Sequence, residues 1–189
     1  MATLRNTPVP YDLSYTSERF SAEMAADEYI ARFRQEERFL ALCWQCGNFG
    51  ARHGCPPFDV SPLEVLAPYR TVRIVGEKLV PAADGLPLDA VEALMSPALA
   101  ELNRDLLEEE RRLGGYALGF AGSCPYCGGA PCRRKSGEPC LHPDKVRPSL
   151  EAYGFDVGRT ARELLGLEIL WGAQGKLPAY LTMVCGLFY

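Results

Sequence analysis

Apolar residues recur at helical spacing in two long segments of the chain. Charged residues separate them in residues 18–42 and again in residues 88–113, and the second segment stops at Gly114-Gly115, a pair typical of a helix end. The periodicity predicts one helix over each segment. The apolar positions are Phe20, Met24, Tyr29, Ile30, Phe33, Phe39 and Leu40 in the first, and Leu88, Val91, Met95, Leu99, Leu102 and Leu106 in the second.

Shorter segments have the composition of strands or brief helices. Strands are predicted at residues 71–80, 116–121, 167–172 and 179–189, which are rich in β-branched and aromatic residues. Ser61-Pro62-Leu63-Glu64 has the form of a capping box with proline at the first helical position. Further brief helices are expected at residues 148–152 and, capped by Asp156, up to Leu165.

This order of elements shows no repeated strand–helix–strand unit. It predicts an α+β (mixed α/β) fold, with a small mixed sheet packed by helices. A chain of 189 residues that is 48% hydrophobic can bury a real core, so we expect a single domain over residues 1–189. Cysteines are then not needed as staples for an undersized fold.

Charge and hydropathy narrow the function classes. The net charge of −4 and the pI near 5.3 argue against a nucleic-acid partner. The first twenty residues lack the apolar stretch of a signal peptide, and the longest apolar run, residues 177–189, is too short to span a bilayer. We expect a cytoplasmic protein without a membrane partner. Thiols stay reduced there, which favours metal binding over disulfides.

Seven of the eight cysteines form two groups. The first is Cys43-x2-Cys46-x8-Cys55-Pro-Pro, and the second is Cys124-x2-Cys127-x4-Cys132-x7-Cys140. A Cys-x-x-Cys turn aims two sulfurs at one point, and its backbone N–H groups can hydrogen-bond to thiolate or sulfide. Two such turns, each extended by further cysteines, predict metal sites. Such sites require the seven sulfur atoms to converge on bound metal ions.

The spacing leaves zinc and iron–sulfur both open. One zinc site would take two Cys-x-x-Cys pairs, Cys43 and Cys46 with Cys124 and Cys127, and would leave three cysteines of the groups idle. A [4Fe–4S] cluster accepts longer spans and often takes its fourth ligand from elsewhere. The spacing therefore favours one or two [4Fe–4S] clusters, with zinc as the alternative.

The first group needs a fourth ligand for such a cluster. Cys185, near the C-terminus, and His53, two residues before Cys55, are candidates, and the third alternative is an open iron. A buried strand cysteine is the plainer interpretation of Cys185. His142 follows a group that already has four thiols, so we expect it to contact that group without being a ligand.

Charged and aromatic residues stand beside both groups. Residues 133–135 (Arg-Arg-Lys) are either a solvated loop or cations that offset cluster charge and dock an acidic redox partner. Trp44, Phe49 and Tyr126 either shield a cluster from water or simply fill space.

The combined motifs resemble a bacterial and archaeal family described as predicted metal-binding proteins, a domain of unknown function. The resemblance covers roughly residues 42–157: the three-cysteine motif ending in Pro-Pro, the four-cysteine group, His142-Pro143 and the segment PSLEAYGFDV at 148–157. It implies that the seven grouped cysteines are metal ligands, with no established reaction. The chain departs from the family pattern at His53, Leu141 and the x4 spacing before Cys132.

Three functional hypotheses follow. The first is a cytosolic iron–sulfur protein for electron transfer or a redox accessory role, with an unknown redox protein as partner and homo-oligomers possible. The second is a zinc-stabilised interaction module. The third is an enzyme with an open-site cluster. Known nucleotide-binding and metalloprotease motifs are missing, so the chain offers no other sign of an enzyme.

Overall fold

The structure is a computed structural model that describes residues 11–122, 124–128 and 130–189. The polar lead-in over residues 1–10, with its expected lack of a signal peptide, lies outside the described residues, as do Ser123 and Gly129 of the second cysteine group. Within the described residues no helix is long and apolar enough to cross a bilayer.

A four-stranded sheet organises the chain. Its strands are β1 (Tyr15–Ala25), β2 (Thr71–Pro81), β3 (Tyr116–Leu118) and β4 (Leu181–Phe188), in the spatial order β1-β2-β4-β3. All three strand pairs are antiparallel, whereas a mixed sheet was expected. The strand β2 lies between β1 and β4 and pairs with both. The α+β fold class is confirmed, and the strands predicted near residues 71–80, 116–121 and 179–189 are present.

The helices lie on both faces of this sheet. They are α1 (Ala26–Phe33), α2 (Glu36–Trp44), α3 (Pro62–Leu66), α4 (Val91–Leu113) and α5 (Val157–Thr160). Residues of α1, α3 and α5 share one core cluster with Ile74, Val184 and Phe188, whereas α4 packs in a second cluster with Met183 and Leu187. Alternate side chains of β4 thus enter opposite cores, which explains why all eight of its residues are buried.

The single helix predicted over residues 18–42 is wrong. Its first part is β1, where Phe20, Ala22 and Met24 alternate inward against solvent-facing neighbours. The spacing from Phe20 to Met24 fits both periods, and pairing with β2 along the full length of β1 decides for the strand. Two short helices, α1 and α2, follow and are separated by an extended turn at Arg34.

Three other local predictions are changed in part. Pro62 begins α3 as expected, but the Ser61 side chain makes no capping hydrogen bond. Residues 167–172 form no strand in the described structure. The expected brief helix at 148–152 is a 3-10 turn at Glu151–Tyr153.

The remaining helix predictions are confirmed. The helix α4 begins after a 3-10 turn at Leu88–Ala90 and ends where Gly114 adopts a left-handed φ of 62°. Asp156 caps α5 by accepting a hydrogen bond from the Arg159 N–H at 2.9 Å, and a π turn at Ala161–Leu165 continues it.

Candidate metal centre

The first cysteine group begins at the end of a helix. Cys43 lies in the last turn of α2, and the Cys46 N–H donates to its carbonyl at 3.0 Å. The Phe49 N–H then donates to the Cys46 carbonyl at 3.0 Å, and the Cys55 N–H donates to the Arg52 carbonyl at 3.1 Å. These successive turns fold the x8 spacer back, so that Cys55 returns to the helix end.

The three thiols of this group are electrostatic neighbours. Burial raises the pKa of Cys55, and the charges of Cys46 and Cys43 raise it further, while Arg52 and Arg134 lower it. The structure therefore gathers Cys43, Cys46 and Cys55 in one place, as their spacing predicts.

The second group occupies the irregular loop that follows β3. Burial raises the pKa of Cys124, the Tyr126 backbone N–H lowers it, and Cys127, Cys140 and Cys132 raise it. The His142 N–H donates to the Cys140 sulfur at 3.4 Å. The four thiols are thus electrostatic neighbours as well, and the N–H to sulfur hydrogen bond at Cys140 lies outside the Cys-x-x-Cys turn, where such bonds were expected.

Arg134 joins the two groups. It lies in a 3-10 turn at Arg133–Ser136, and its guanidinium donates to three carbonyls of the first group: those of Arg52 at 2.7 Å, Cys55 and Pro57. His53 adds a link of the same kind, since its Nε2 lies 3.1 Å from the Glu138 carbonyl. Arg133 and Lys135 are exposed, as a solvated loop would have them, but Arg134 is a structural contact that the sequence did not reveal.

The thiols are close without being spaced as ligands. Across residues 11–122, 124–128 and 130–189, no three His, Cys, Asp or Glu side chains are arranged to hold one metal ion. The seven-cysteine ligand set therefore remains a prediction, supported by the grouping of the thiols.

The two proposed protein ligands outside the motif lie in different settings. Cys185 is fully buried in β4 opposite Val75, in the core cluster that faces α4, and burial raises its pKa strongly. Cys185 is thus a buried strand cysteine, which was the simpler of the two interpretations given for it. His53 is directed at the Glu138 carbonyl of the second group. His142 packs its ring 6.1 Å from the Tyr126 ring, beside the second group.

The aromatic residues give little shielding at the first group. Trp44 is 71% exposed and meets the Phe49 ring at a tilt, with ring centroids 5.7 Å apart. Tyr126 is half-buried, and burial and the neighbouring Cys124 raise its pKa. Trp44 therefore gives little shielding, whereas Phe49 is partly buried beside the first group and Tyr126 beside the second.

A cavity of about 520 Å³ adjoins the first group. Cys43, Cys46, Cys55 and Cys124 line it together with residues of α4, most of which are apolar. The cavity residues from α4 are Val91, Glu92, Met95, Ser96, Leu99, Asn103, Leu106 and Leu107. A volume of this order suits a small molecule.

A buried ion pair braces the cavity wall. Glu110, on the inner face of α4, pairs with Arg147, which follows the second cysteine group, and also accepts the Ala117 N–H of β3 at 2.7 Å. The pair thus ties helix, edge strand and cysteine loop together. The sequence offered one signal for this pair: Glu110 lies one helical turn after Leu106, on the apolar face of the predicted helix.

Glu151 is a cavity residue that the sequence analysis missed. It begins the Glu151–Tyr153 turn, and although the residue is partly exposed, its Oε2 is buried and has no hydrogen-bond partner among the described residues. The signal in the sequence was an acidic residue inside the segment PSLEAYGFDV, between the buried Leu150 and Tyr153.

An antiparallel sheet between helices, carrying two thiol-rich loops held together by an arginine, defines an α+β protein built around clustered cysteines. The family model described as "Predicted metal-binding protein (DUF2284)" matches residues 30–187. The chain belongs to this family, which confirms the resemblance seen in the sequence. Searches of curated proteins and of solved structures found no significant match.

Proposed function

We propose that the chain is an iron–sulfur protein that binds one or two [4Fe–4S] clusters and serves in electron transfer or as a redox accessory. The observation that carries this proposal is the sorting of seven half-buried or exposed thiols into a trio and a quartet. Membership of a predicted metal-binding family supports the metal itself.

The grouping favours iron–sulfur over a single zinc site. One zinc site would draw Cys43 and Cys46 together with Cys124 and Cys127. The electrostatic neighbours of Cys55 are instead Cys46 and Cys43, and those of Cys124 are Cys127, Cys140 and Cys132. Two separate thiol sets fit two cluster sites, and the donor chemistry is that of thiolate-ligated iron.

At such a site the cysteines would bind the clusters, and backbone N–H groups would stabilise the thiolates. Cys124, Cys127, Cys132 and Cys140 would hold one cluster, and Cys43, Cys46 and Cys55 would hold the other with a fourth ligand. A bound cluster supplies one-electron chemistry. Backbone N–H donors to sulfur, as at Cys140, delocalise thiolate charge and thereby favour the reduced form.

Metal analysis of protein purified without oxygen tests this proposal. We expect iron and acid-labile sulfide in equal amounts, together with an electron paramagnetic resonance (EPR) signal on reduction. Colourless protein with stoichiometric zinc from an oxygen-free preparation would refute it and would support the zinc-stabilised module. In that case chelation should unfold the loops, since structural zinc contributes about 10–16 kcal/mol of apparent binding energy at neutral pH.

The cavity favours a second candidate function, an enzyme whose three-thiol cluster has an open iron. A small molecule in that cavity would lie beside Cys43, Cys46 and Cys55. Titrating candidate small ligands into the reduced protein should then change its EPR spectrum. An unchanged spectrum with each ligand, or a fourth protein ligand at this group, would exclude the open iron.

A further inference from the structure

The Glu151 carboxyl group is only partly provided with hydrogen-bond partners. The group is enclosed, and its Oε2 accepts no hydrogen bond from the described residues. An ionised carboxylate in such surroundings is strongly destabilising unless a cation or several hydrogen-bond donors face it. The proposed electron-transfer role gives this side chain no task, so its position requires a separate explanation.

The position of Glu151 links it to the three-thiol group. The helix α2, which carries Cys43, packs against the Glu151–Tyr153 turn, and the Gln35 N–H donates to the Gly154 carbonyl at 2.7 Å. Glu151 also lines the cavity together with all three thiols.

The electrostatic interactions of Cys43 also place Glu151 near the three-thiol group. Burial and the neighbouring Cys46 raise the pKa of Cys43, and the Glu151 charge raises it further. Burial raises the pKa of Glu151 itself, while its own backbone N–H and the Ser149 hydroxyl lower it. The Glu151 carboxyl and the Cys43 thiol are therefore electrostatic neighbours.

The other fourth-ligand candidates are less well placed. Cys185 is enclosed in the core between the sheet and α4, and it is not among the residues that line the cavity. His53 uses its Nε2 on a carbonyl of the second group. Glu151 combines a buried oxygen atom, which has no hydrogen-bond partner among the described residues, with a place in the lining of the cavity that the three thiols also line.

We propose that Glu151 supplies the fourth protein ligand of the metal held by Cys43, Cys46 and Cys55. The inference rests on the proposed function, because it needs a metal at that group. Carboxylate oxygen is an accepted ligand of both iron and zinc, and the metal supplies the positive charge that the buried oxygen lacks. A complete ligand set leaves no iron open, which favours electron transfer over the enzyme hypothesis.

The first test compares Glu151→Gln with Glu92→Gln after anaerobic loading with ferrous iron and sulfide. Glutamine keeps the size of Glu151 but is neutral and a poor ligand, and Glu92 is an exposed carboxylate on the same cavity wall. We expect Glu151→Gln to lose about one iron per chain, to show the EPR signal of a three-iron cluster after mild oxidation, and to release iron to a chelator at least about tenfold faster. Glu92→Gln should match the wild type.

The outcomes separate the two proposals. If wild type and Glu151→Gln hold the same iron with the same release rate, while Cys43→Ser loses iron, the Glu151 proposal is wrong and the metal site stands. If the wild type binds no iron at all, both proposals fall.

The second test needs no Glu151 variant to fold. Wild-type protein labelled with carbon-13 at glutamate carboxyl groups should show strong carbon coupling to the reduced cluster by electron–nuclear double resonance. Glu138→Gln, beside the second group, and Glu92→Gln should retain that coupling. Its absence from the wild type would overturn the proposal.

Discussion

The two cysteine groups contain similar motifs in different surroundings. The trio lies at the end of α2 and adjoins a largely apolar cavity with a buried carboxylate on its wall. The quartet lies on a loop without long helices, where the His142 N–H donates to the Cys140 sulfur. A Cys-x-x-Cys pair thus specifies which thiols are neighbours, while the elements packed behind it decide which other groups lie beside them.

If both groups bind metal as proposed, they have distinct tasks. Four thiols with an N–H donor at Cys140 would form a closed electron-transfer type of site, whose potential the hydrogen bond would tune. Three thiols beside a carboxylate would give a site with mixed ligands. We therefore expect the two groups to respond differently to substitution.

The largest effect should come from replacing one cysteine in each group. On the proposal that each group holds its own cluster, Cys43→Ser and Cys127→Ser should each lower iron and sulfide to about half of the wild-type content. Cys185→Ser, a core position outside both groups, should retain the full iron content at some loss of stability. Complete loss of iron from both group variants would indicate one shared site and end the comparison.

A large effect on stability is expected at the ion pair between Glu110 and Arg147. Arg147→Ala leaves Glu110 buried with only the Ala117 N–H as donor, and breaking such a pair costs about 3–5 kcal/mol. Urea unfolding measures the change. The control is Arg112→Ala, which removes an exposed pair with Glu109 on the same helix and should cost no more than about 1 kcal/mol. Equal losses would mean that Glu110 is not a buried anchor.

A moderate effect is expected at the contact between the groups. Arg134→Lys loses the planar fork that reaches three carbonyls, and charge-assisted hydrogen bonds contribute about 1.5–3 kcal/mol each. We expect faster amide hydrogen exchange around both Cys55 and Cys132. Arg133→Lys, an exposed neighbour, should leave exchange unchanged. Faster exchange in only one group would show that the groups are mechanically independent.

The smallest effect should be at Trp44. Because this ring is mostly exposed, Trp44→Ala should cost less than about 1 kcal/mol, chiefly through lost contact with Phe49. Its effect on the cluster potential should be no larger than that of Trp171→Ala, a ring that is 83% exposed. A clear potential shift for Trp44→Ala alone would mean that the ring shields the trio after all.

The pattern of apolar residues predicted an element correctly where that pattern matches the faces that the element buries. The continuous apolar run of β4 reflects burial on both faces, and the stripe of α4 reflects packing on one face. The segment around Phe20 and Met24 was ambiguous because four residues fit one helical turn and two strand repeats equally well. Only the partner strand β2, fifty residues away, resolves it.

The site divides in the same way. Cysteine spacing predicted which thiols would be neighbours, because short loops confine them. The roles of Arg134 and Glu151 depend on contacts across the fold: one reaches carbonyls at residues 52–57, and the other faces a cavity walled by α4. No local pattern distinguishes such an arginine from a solvated one, so these residues emerged only from the structure.

The guanidinium of Arg134 also has a thermodynamic consequence. Because it fastens the quartet's loop to the backbone of the trio, the conformational entropy lost when one loop becomes rigid need not be lost again at the other. If each group binds its own metal as proposed, filling of one site should therefore raise the affinity of the other. Chains with one site filled should then be fewer during a metal titration than independent binding predicts.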